Sequence, residues 1–102
     1  MKTVTISGAR RFSLESVQRR TLVEEAELLV ELICFEAGQG DEPSSPAGSV
    51  VYQVLEGEAL VRSGGATTRL GKGKLLSLVA HTEHALENAG GGLLVVLATS
   101  AR

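Results

Sequence analysis

Short apolar runs separated by glycine-containing turns follow one another along most of the chain. Many short strands at regular spacing, with turn signals between them, are typical of an all-β barrel or sandwich. The tetrapeptide SGGA at residues 63–66 predicts a tight hairpin between strands at residues 59–62 and 67–70, because glycine adopts positive φ without steric cost. The nearly continuous apolar run at residues 93–99 predicts a strand that is buried on both faces.

One segment, residues 17–36, also fits the pattern of a helix. Its glutamate-rich sequence has good helix propensity. Its apolar residues recur at spacings of three and four, as on one face of an amphipathic helix. These residues are Leu22, Val23, Ala26, Leu29, Val30 and Ile33.

The alternative for this segment is a pair of strands at residues 17–23 and 27–36, with a turn around residues 24–26. In the second strand, alternate residues form an unbroken apolar face. That face consists of Leu28, Val30, Leu32 and Cys34. Alternation places Glu27 and Glu31 on the opposite face. The local pattern slightly favours the helix, so periodicity alone does not decide between the two.

The amino-acid composition argues against nucleic-acid binding and membrane association. The 102 residues suit one domain, and 43% hydrophobic with 22% charged residues is ordinary for a globular protein. A net charge of −2, no basic stripe and only 3% aromatic residues predict no nucleic-acid partner. No apolar run approaches the roughly 20 residues that span a bilayer, so no membrane partner is expected. The N-terminus lacks the apolar block of a secretory signal, which makes the cytoplasm the expected location.

Two motifs resemble those of a known family. Gly73, His84 and Asn88 stand at the spacing of the second motif of small single-domain cupins, and Gly57 in the sequence VLEGEA closes the first. The sequence CFEAGQ at residues 34–39 resembles the family's strand that leads into the first motif. From about residue 17 to 99, the chain therefore resembles a cupin of the conserved-barrel type.

The resemblance implies an all-β fold, a jelly-roll barrel of the kind called a double-stranded β-helix. It favours two strands over a helix in the ambiguous segment, because two strands occupy that place in the family. It also implies one domain over residues 1–102, with an N-terminal strand or arm at residues 1–16 and the barrel core at residues 17–99. We expect a strand at residues 3–7 of the arm. Small cupins are commonly homodimers, so a homodimer is expected, with residues 3–7 or 93–99 contributing to its interface.

The first motif has lost the residues that bind metal in the family. Cupins usually hold one divalent metal through two histidines and a glutamate of the first motif and a histidine of the second. The glutamate position falls on Val50, and both first-motif histidine positions fall within residues 43–46, which read PSSP. Only His84 matches a ligand position. Because zinc, iron or manganese needs three or more protein ligands, we expect no metal and no cofactor. A rebuilt site would combine His84 with His81, although alternation along the strand turns these two apart.

The interior of a small barrel is also its pocket, so residues that face inward are the candidates for a ligand site. They are His84, Tyr52, Asn88, Val50 and Cys34. His84 and Tyr52 are also the catalytic candidates, as base and acid. Each has a structural alternative: Tyr52 can fill the core, Asn88 can join strands, and a buried Cys34 can act as a small hydrophobe. His81 replaces the family's turn glycine and is expected to be an exposed turn residue, since histidine tolerates positive φ.

Three functions are compatible with these residues. The first is a metal-free or degenerate cupin that binds a small molecule in the barrel. The second is an enzyme, either an acid–base isomerase or epimerase that uses His84, or a metal-dependent enzyme with a rebuilt site. The third is a barrel whose role is assembly. The loss of the metal ligands within an intact frame places the binding module first, by a small margin.

Overall fold

The computed structural model describes all of residues 1–102 and contains two antiparallel sheets. The larger sheet has the strand order β1-β2-β8-β3-β6, and the smaller has the order β5-β4-β7. The strands are β1 (Gln18–Glu24), β2 (Leu28–Phe35), β3 (Val50–Glu56), β4 (Glu58–Ser63), β5 (Ala66–Gly71), β6 (Leu75–Leu78), β7 (Ala85–Asn88) and β8 (Leu94–Ala101). The only helix is a three-residue 3-10 turn, Ser7–Ala9, and no helix is long and apolar enough to cross a membrane.

The predicted all-β jelly-roll is confirmed, and so is the choice of strands over a helix in the ambiguous segment. β1 and β2 pair as an antiparallel hairpin, and β2 then pairs along its whole length with β8. The spacing of three and four was misleading there because both faces of β2 are covered. Apolar residues then occur at almost every position, and such a run also contains a helical period.

The two turns that were predicted from glycine form as expected. Gly64 and Gly65 have φ of 57° and 81° in the hairpin between β4 and β5. Gly57, between β3 and β4, has φ of 84°, and a Cβ atom there would lie 2.3 Å from the carbonyl oxygen of Leu93. Glycine is therefore required at residue 57 by both conformation and space.

The main core lies between the two sheets. Its buried side chains come from six strands, with the largest share from β3 and β8. They are Ile33, Phe35, Val50, Tyr52, Val54, Ala59, Val61, Leu70, Leu86, Leu94, Val96 and Ala98. Residues 40–44 extend the smaller sheet, because Gly40 bridges to Glu87 and Ser44 bridges to His84. This segment, which contains the first two residues of the altered PSSP sequence, thus lies along the edge of β7.

A second, smaller core covers the outer face of the larger sheet. Ala9 of the N-terminal arm, with Ile6 and Phe12 beside it, packs over Leu22, Leu32, Cys34 and Val95. The strand expected at residues 3–7 is absent, and that prediction is wrong. The arm crosses the outer face of the sheet without pairing along an edge, and its one backbone bond joins Ala9 N to Ile6 O.

The direction in which β2 faces also differs from expectation. Cys34 lies with Leu32 under the arm, whereas Ile33 and Phe35 face the interior. The prediction that Cys34 belongs to the interior pocket is therefore wrong. Its face is apolar because the arm covers it, and the strand alone gives no sign of that cover.

Candidate functional site

A buried tyrosine–histidine pair joins the two sheets. The hydroxyl oxygen of Tyr52, on β3, lies 2.6 Å from Nε2 of His84, which precedes β7. Only 4% of Tyr52 and 3% of His84 are exposed. Their rings meet edge to face, with centroids 5.4 Å apart and planes at 65°. The structure thus brings together the two residues that were predicted to be the main site candidates.

The second nitrogen of His84 fixes which atom carries the proton. Nδ1 lies 2.9 Å from the backbone carbonyl oxygen of Thr82. A carbonyl oxygen only accepts, so Nδ1 must donate. In the neutral imidazole, Nε2 then holds the lone pair and accepts a hydrogen bond from the Tyr52 hydroxyl. Both ring nitrogens are therefore occupied.

The environment of Tyr52 keeps its hydroxyl protonated. Burial raises the pKa of Tyr52 from 10.0 to about 12, because the phenolate would lose its hydration. The positive charge of Arg19 lowers this pKa, and the negative charges of Asp41 and Glu31 raise it. At neutral pH the phenol is therefore a hydrogen-bond donor, as the pairing with His84 requires.

The charged groups that act on Tyr52 form a cluster beside it. Arg19 Nη2 lies 2.7 Å from Asp41 Oδ2, and Arg19 Nη1 lies 3.4 Å from Glu31 Oε1. The other oxygen of Asp41 accepts a hydrogen bond from the backbone N–H of Leu86 at 2.8 Å. Asp41 is the most enclosed of the three, with 12% of its side chain exposed. This Arg19–Glu31–Asp41 cluster places charge on the same side of the larger sheet as Tyr52.

Strand register explains why Glu31 lies there. In β2, Glu31 is opposite Ala98 of β8, and Ala98 is in turn opposite Tyr52 of β3. Directly opposite residues share a face of the sheet, so Glu31 and Tyr52 point to the same side. This cluster was not predicted from the sequence. Its one signal was that Glu31 interrupts a run, residues 28–35, that is otherwise apolar on both faces.

An open cleft gives solvent access to this cluster. The cleft has a volume of about 440 Å³ and lies between residues 14–17 of the arm and residues 39–42, with Arg19 and Asp41 in its wall. Tyr52, Val50 and Asn88 line none of the cavities of the structure. The predicted pocket inside the barrel is therefore absent, because apolar side chains fill that space. His84 contributes only to the wall of a separate cleft of about 350 Å³, which faces the β4–β5 hairpin.

Two other residues that were predicted to line the pocket, Val50 and Asn88, have structural roles. Val50 is 4% exposed and belongs to the main core. The Asn88 side-chain nitrogen donates to the carbonyl oxygens of Gly92 at 2.8 Å and Glu36 at 3.1 Å, and its oxygen accepts from Gly90 N at 3.0 Å. The amide of Asn88 is thus used in joining β7 to its neighbouring turns. The structure offers no ligand contact for either residue.

The residues at the family's metal-ligand positions do not fit a metal. Ser44 bridges to His84 through backbone hydrogen bonds in both directions, and Val50 offers no donor atom. His81 is exposed in a turn with φ of 64°, as expected for the residue that replaces the turn glycine. No group of three His, Cys, Asp or Glu side chains is placed to hold a metal ion. His84 could ligate only by giving up its bond with Tyr52 or with Thr82.

Comparison with known proteins agrees with this architecture. The family model described as Cupin domain matches residues 31–100. Among similar solved structures is TT1209 from Thermus thermophilus, with 22% identity, coverage of 99% of this chain and 97% of that chain, and a TM-score of 0.92. Another is an RmlC-like cupin protein from Desulfovibrio desulfuricans, with 26% identity, coverage of 99% and 96%, and a TM-score of 0.87. A search of curated proteins gave no match.

Proposed function

The chain belongs to the cupin family, and from that premise we propose that it is a metal-free module that binds a small polar molecule. The observation that carries the proposal is an open cleft whose wall contains two charged side chains of opposite sign. Arg19 and Asp41 stand in the wall of the open cleft, and their charges act on Tyr52, which is bonded to His84. An accessible cleft with a few convergent polar groups is the usual form of a small-molecule site.

The cleft suits a ligand that both donates and accepts hydrogen bonds. Its volume of about 440 Å³ falls in the range of small-molecule sites, on the order of 300–1,000 Å³. The contact of Arg19 with Glu31, at 3.4 Å, is longer than its contact with Asp41. A ligand oxygen can therefore replace Glu31 on the guanidinium at little cost. The carboxylate of Asp41, in the same wall, accepts hydrogen bonds from the donors of such a ligand.

Two features weigh against the enzyme alternative. General acid–base catalysis by Tyr52 and His84 would need these groups on opposite sides of a substrate, whereas they are bonded to each other. An acid with a pKa of about 12 is also far from the neutral range in which a general acid works best.

The test is a thermal-shift screen of a broad panel of polar metabolites against four proteins. These are the wild type, Arg19→Gln, Tyr52→Phe and the control Arg69→Gln. Arg69 is exposed on β5 and pairs with Glu58, so the control removes an equal charge on the other sheet. A ligand at about 100 times its Kd stabilises a protein by about 2.7 kcal/mol, which corresponds to a rise in Tm on the order of 10 °C for a domain of this size.

The proposal expects compounds that raise the Tm of the wild type and of Arg69→Gln equally. In Arg19→Gln, the same compounds should need at least about tenfold higher concentration, because this variant removes a charged hydrogen-bond donor from the cleft wall. Tyr52→Phe should respond like the wild type, because the Tyr52 side chain is buried and lines no cavity. Two outcomes would overturn the proposal. One is a panel in which no compound shifts the wild type, and the other is a set of compounds that shift all four proteins alike.

A further inference from the structure

Two arginines of this chain lack a carboxylate partner, and both line the same cleft. Of the seven arginines in the sequence, five form salt bridges. These five are Arg10, Arg19, Arg62, Arg69 and Arg102. The remaining two, Arg11 and Arg20, lie in the wall of a cleft of about 190 Å³ between the N-terminal arm and β1. Neither Asp nor Glu contributes to that wall.

Strand register places the cleft on the outer face of the larger sheet. Gln18 is opposite Cys34, and Arg20 is opposite Leu32, so these side chains share the face that the arm covers. Arg19, between them, turns its guanidinium to Asp41 on the other side. Arg19 also contributes to the wall of this cleft, but its guanidinium is paired with Asp41 and Glu31. The cations left free in the cleft are therefore Arg11 and Arg20, and what they bind does not depend on the function proposed above.

Arg11 is held in place while most of its donors stay free. Its Nη1 donates to the carbonyl oxygen of Arg10 at 2.7 Å and to that of Gly8 at 3.4 Å. The remaining N–H groups of its guanidinium have no partner in the chain. Arg20 makes neither a side-chain hydrogen bond nor an ion pair. An arginine that is already positioned loses less conformational entropy when it binds an anion.

A second cleft continues the first on the other side of Arg20. It has a volume of about 390 Å³, shares Ala9 and Arg20 with the first, and adds Lys2 and the apolar side chains of Val4 and Leu22. It also contains no acidic residue. Three unpaired cations, Lys2, Arg11 and Arg20, therefore surround these two adjoining clefts in a chain whose net charge is −2. Their positive charges raise the local concentration of anions.

We infer that these clefts bind a small phosphate monoester. Arg11 and Arg20 hold the phosphate in the smaller cleft, and the organic part lies along Val4 and Leu22 in the larger one. Two guanidinium groups match the geometry and charge of a phosphate, because each presents paired N–H donors. Inorganic phosphate would bind through the two arginines, but it has no organic part to contact Val4 and Leu22.

The test is an NMR titration of the ¹⁵N-labelled full chain with inorganic phosphate and, separately, with glycerol phosphate. Ionic strength is held constant with chloride. We expect saturable shifts of the backbone amides at residues 9–11 and 18–20 and at Cys34, with glycerol phosphate binding more tightly. Arg11→Gln and Arg20→Gln should each weaken binding by about tenfold or more, as for loss of a charged hydrogen-bond donor. Arg69→Gln, which removes the same charge from the other sheet, should change it by less than about twofold.

Three results would overturn the inference. Shifts that grow linearly without saturation would indicate general charge screening. Equal weakening in Arg69→Gln would indicate the same. A glycerol phosphate affinity no greater than that of inorganic phosphate would remove the larger cleft from the site. Because Arg11 is exposed and Arg20 makes no side-chain contact with a partner, both variants are expected to fold, which far-UV circular dichroism can check.

Discussion

Tyr52 offers a direct spectroscopic test of the buried pair. It is the only tyrosine of the chain, which contains no tryptophan. The near-ultraviolet absorption of tyrosinate therefore reports the ionisation of this one side chain. Burial raises the pKa of Tyr52 from 10.0 to about 12, so we expect the native protein to remain un-ionised at a pH where free tyrosine is largely ionised.

The same shift has a defined effect on stability. One pKa unit corresponds to about 1.4 kcal/mol. A native pKa of about 12, against 10.0 in the unfolded chain, therefore adds about 3 kcal/mol to the free energy of unfolding. The folded state binds this proton more tightly than the unfolded state does. The contribution is therefore complete below about pH 10 and is lost as the pH rises towards 12. Phenylalanine cannot ionise, so the Tyr52→Phe protein lacks this part of the loss of stability at alkaline pH.

The assay combines two measurements. Absorbance is followed from neutral to alkaline pH, with far-UV circular dichroism at each point to show that the protein is still folded. Chemical unfolding of the wild type and of Tyr52→Phe then gives the free energy of unfolding at several pH values. We expect the difference between the two proteins to shrink by about 3 kcal/mol across this range. A tyrosinate midpoint near 10 in folded protein, or a difference that does not change with pH, would refute the argument.

Three further predictions concern Asn88, metal and assembly. Asn88→Ala should lower the free energy of unfolding by about 3 kcal/mol, because it leaves the carbonyl oxygen of Gly92 and the N–H of Gly90 without their partner. Urea unfolding measures this change, with the exposed Thr67→Ala as the control, and equal effects of the two substitutions would contradict the prediction. Protein purified without chelators should contain far less than one equivalent of any transition metal by elemental mass spectrometry, and near-stoichiometric metal that disappears in His84→Ala would show a rebuilt site. Light scattering should show the homodimer that the cupin resemblance implies. The exposed side chains of Val51 and Leu75 share the outer face of β3 and β6, which makes this face a candidate interface beside residues 3–7 and 93–99. Val51→Asp with Leu75→Asp should then give a monomer, and a dimer that persists in the double variant would place its interface elsewhere.

The barrel could be predicted because its evidence is local in the sequence. Gly57 must be glycine for the turn between β3 and β4, the hairpin after β4 needs positive φ at Gly64 and Gly65, and residues 93–99 are apolar enough for a central strand. Motif spacing then decided between a helix and two strands at residues 17–36. The pairing of Tyr52 with His84 was within reach for the same reason, since both were expected to point inward.

The charged half of the site could not be predicted because it depends on which face of β2 is inside. Leu28, Val30, Leu32 and Cys34 form the more uniformly apolar face, yet the arm covers part of it and makes it the outer one. The opposite face contains Glu31, whose carboxylate pairs there with Arg19, and Arg19 pairs in turn with Asp41. Those partners come from β1 and from a loop, so no single segment of sequence contains the information.

The residues at the family's ligand positions and the Tyr52–His84 bond are physically consistent with each other. A histidine buried without its metal would leave a ring nitrogen unbonded in an apolar interior, at a cost of about 1–3 kcal/mol. Here the hydroxyl of Tyr52 occupies Nε2, and the carbonyl oxygen of Thr82 fixes Nδ1 as the donor. A carboxylate at residue 50 would be an unpaired charge in this apolar core, and Val50 avoids that cost. In this interior the polar atoms of Tyr52 and His84 are hydrogen-bonded to the protein, and the polar groups that a ligand can reach are those of Arg19 and Asp41 in the open cleft.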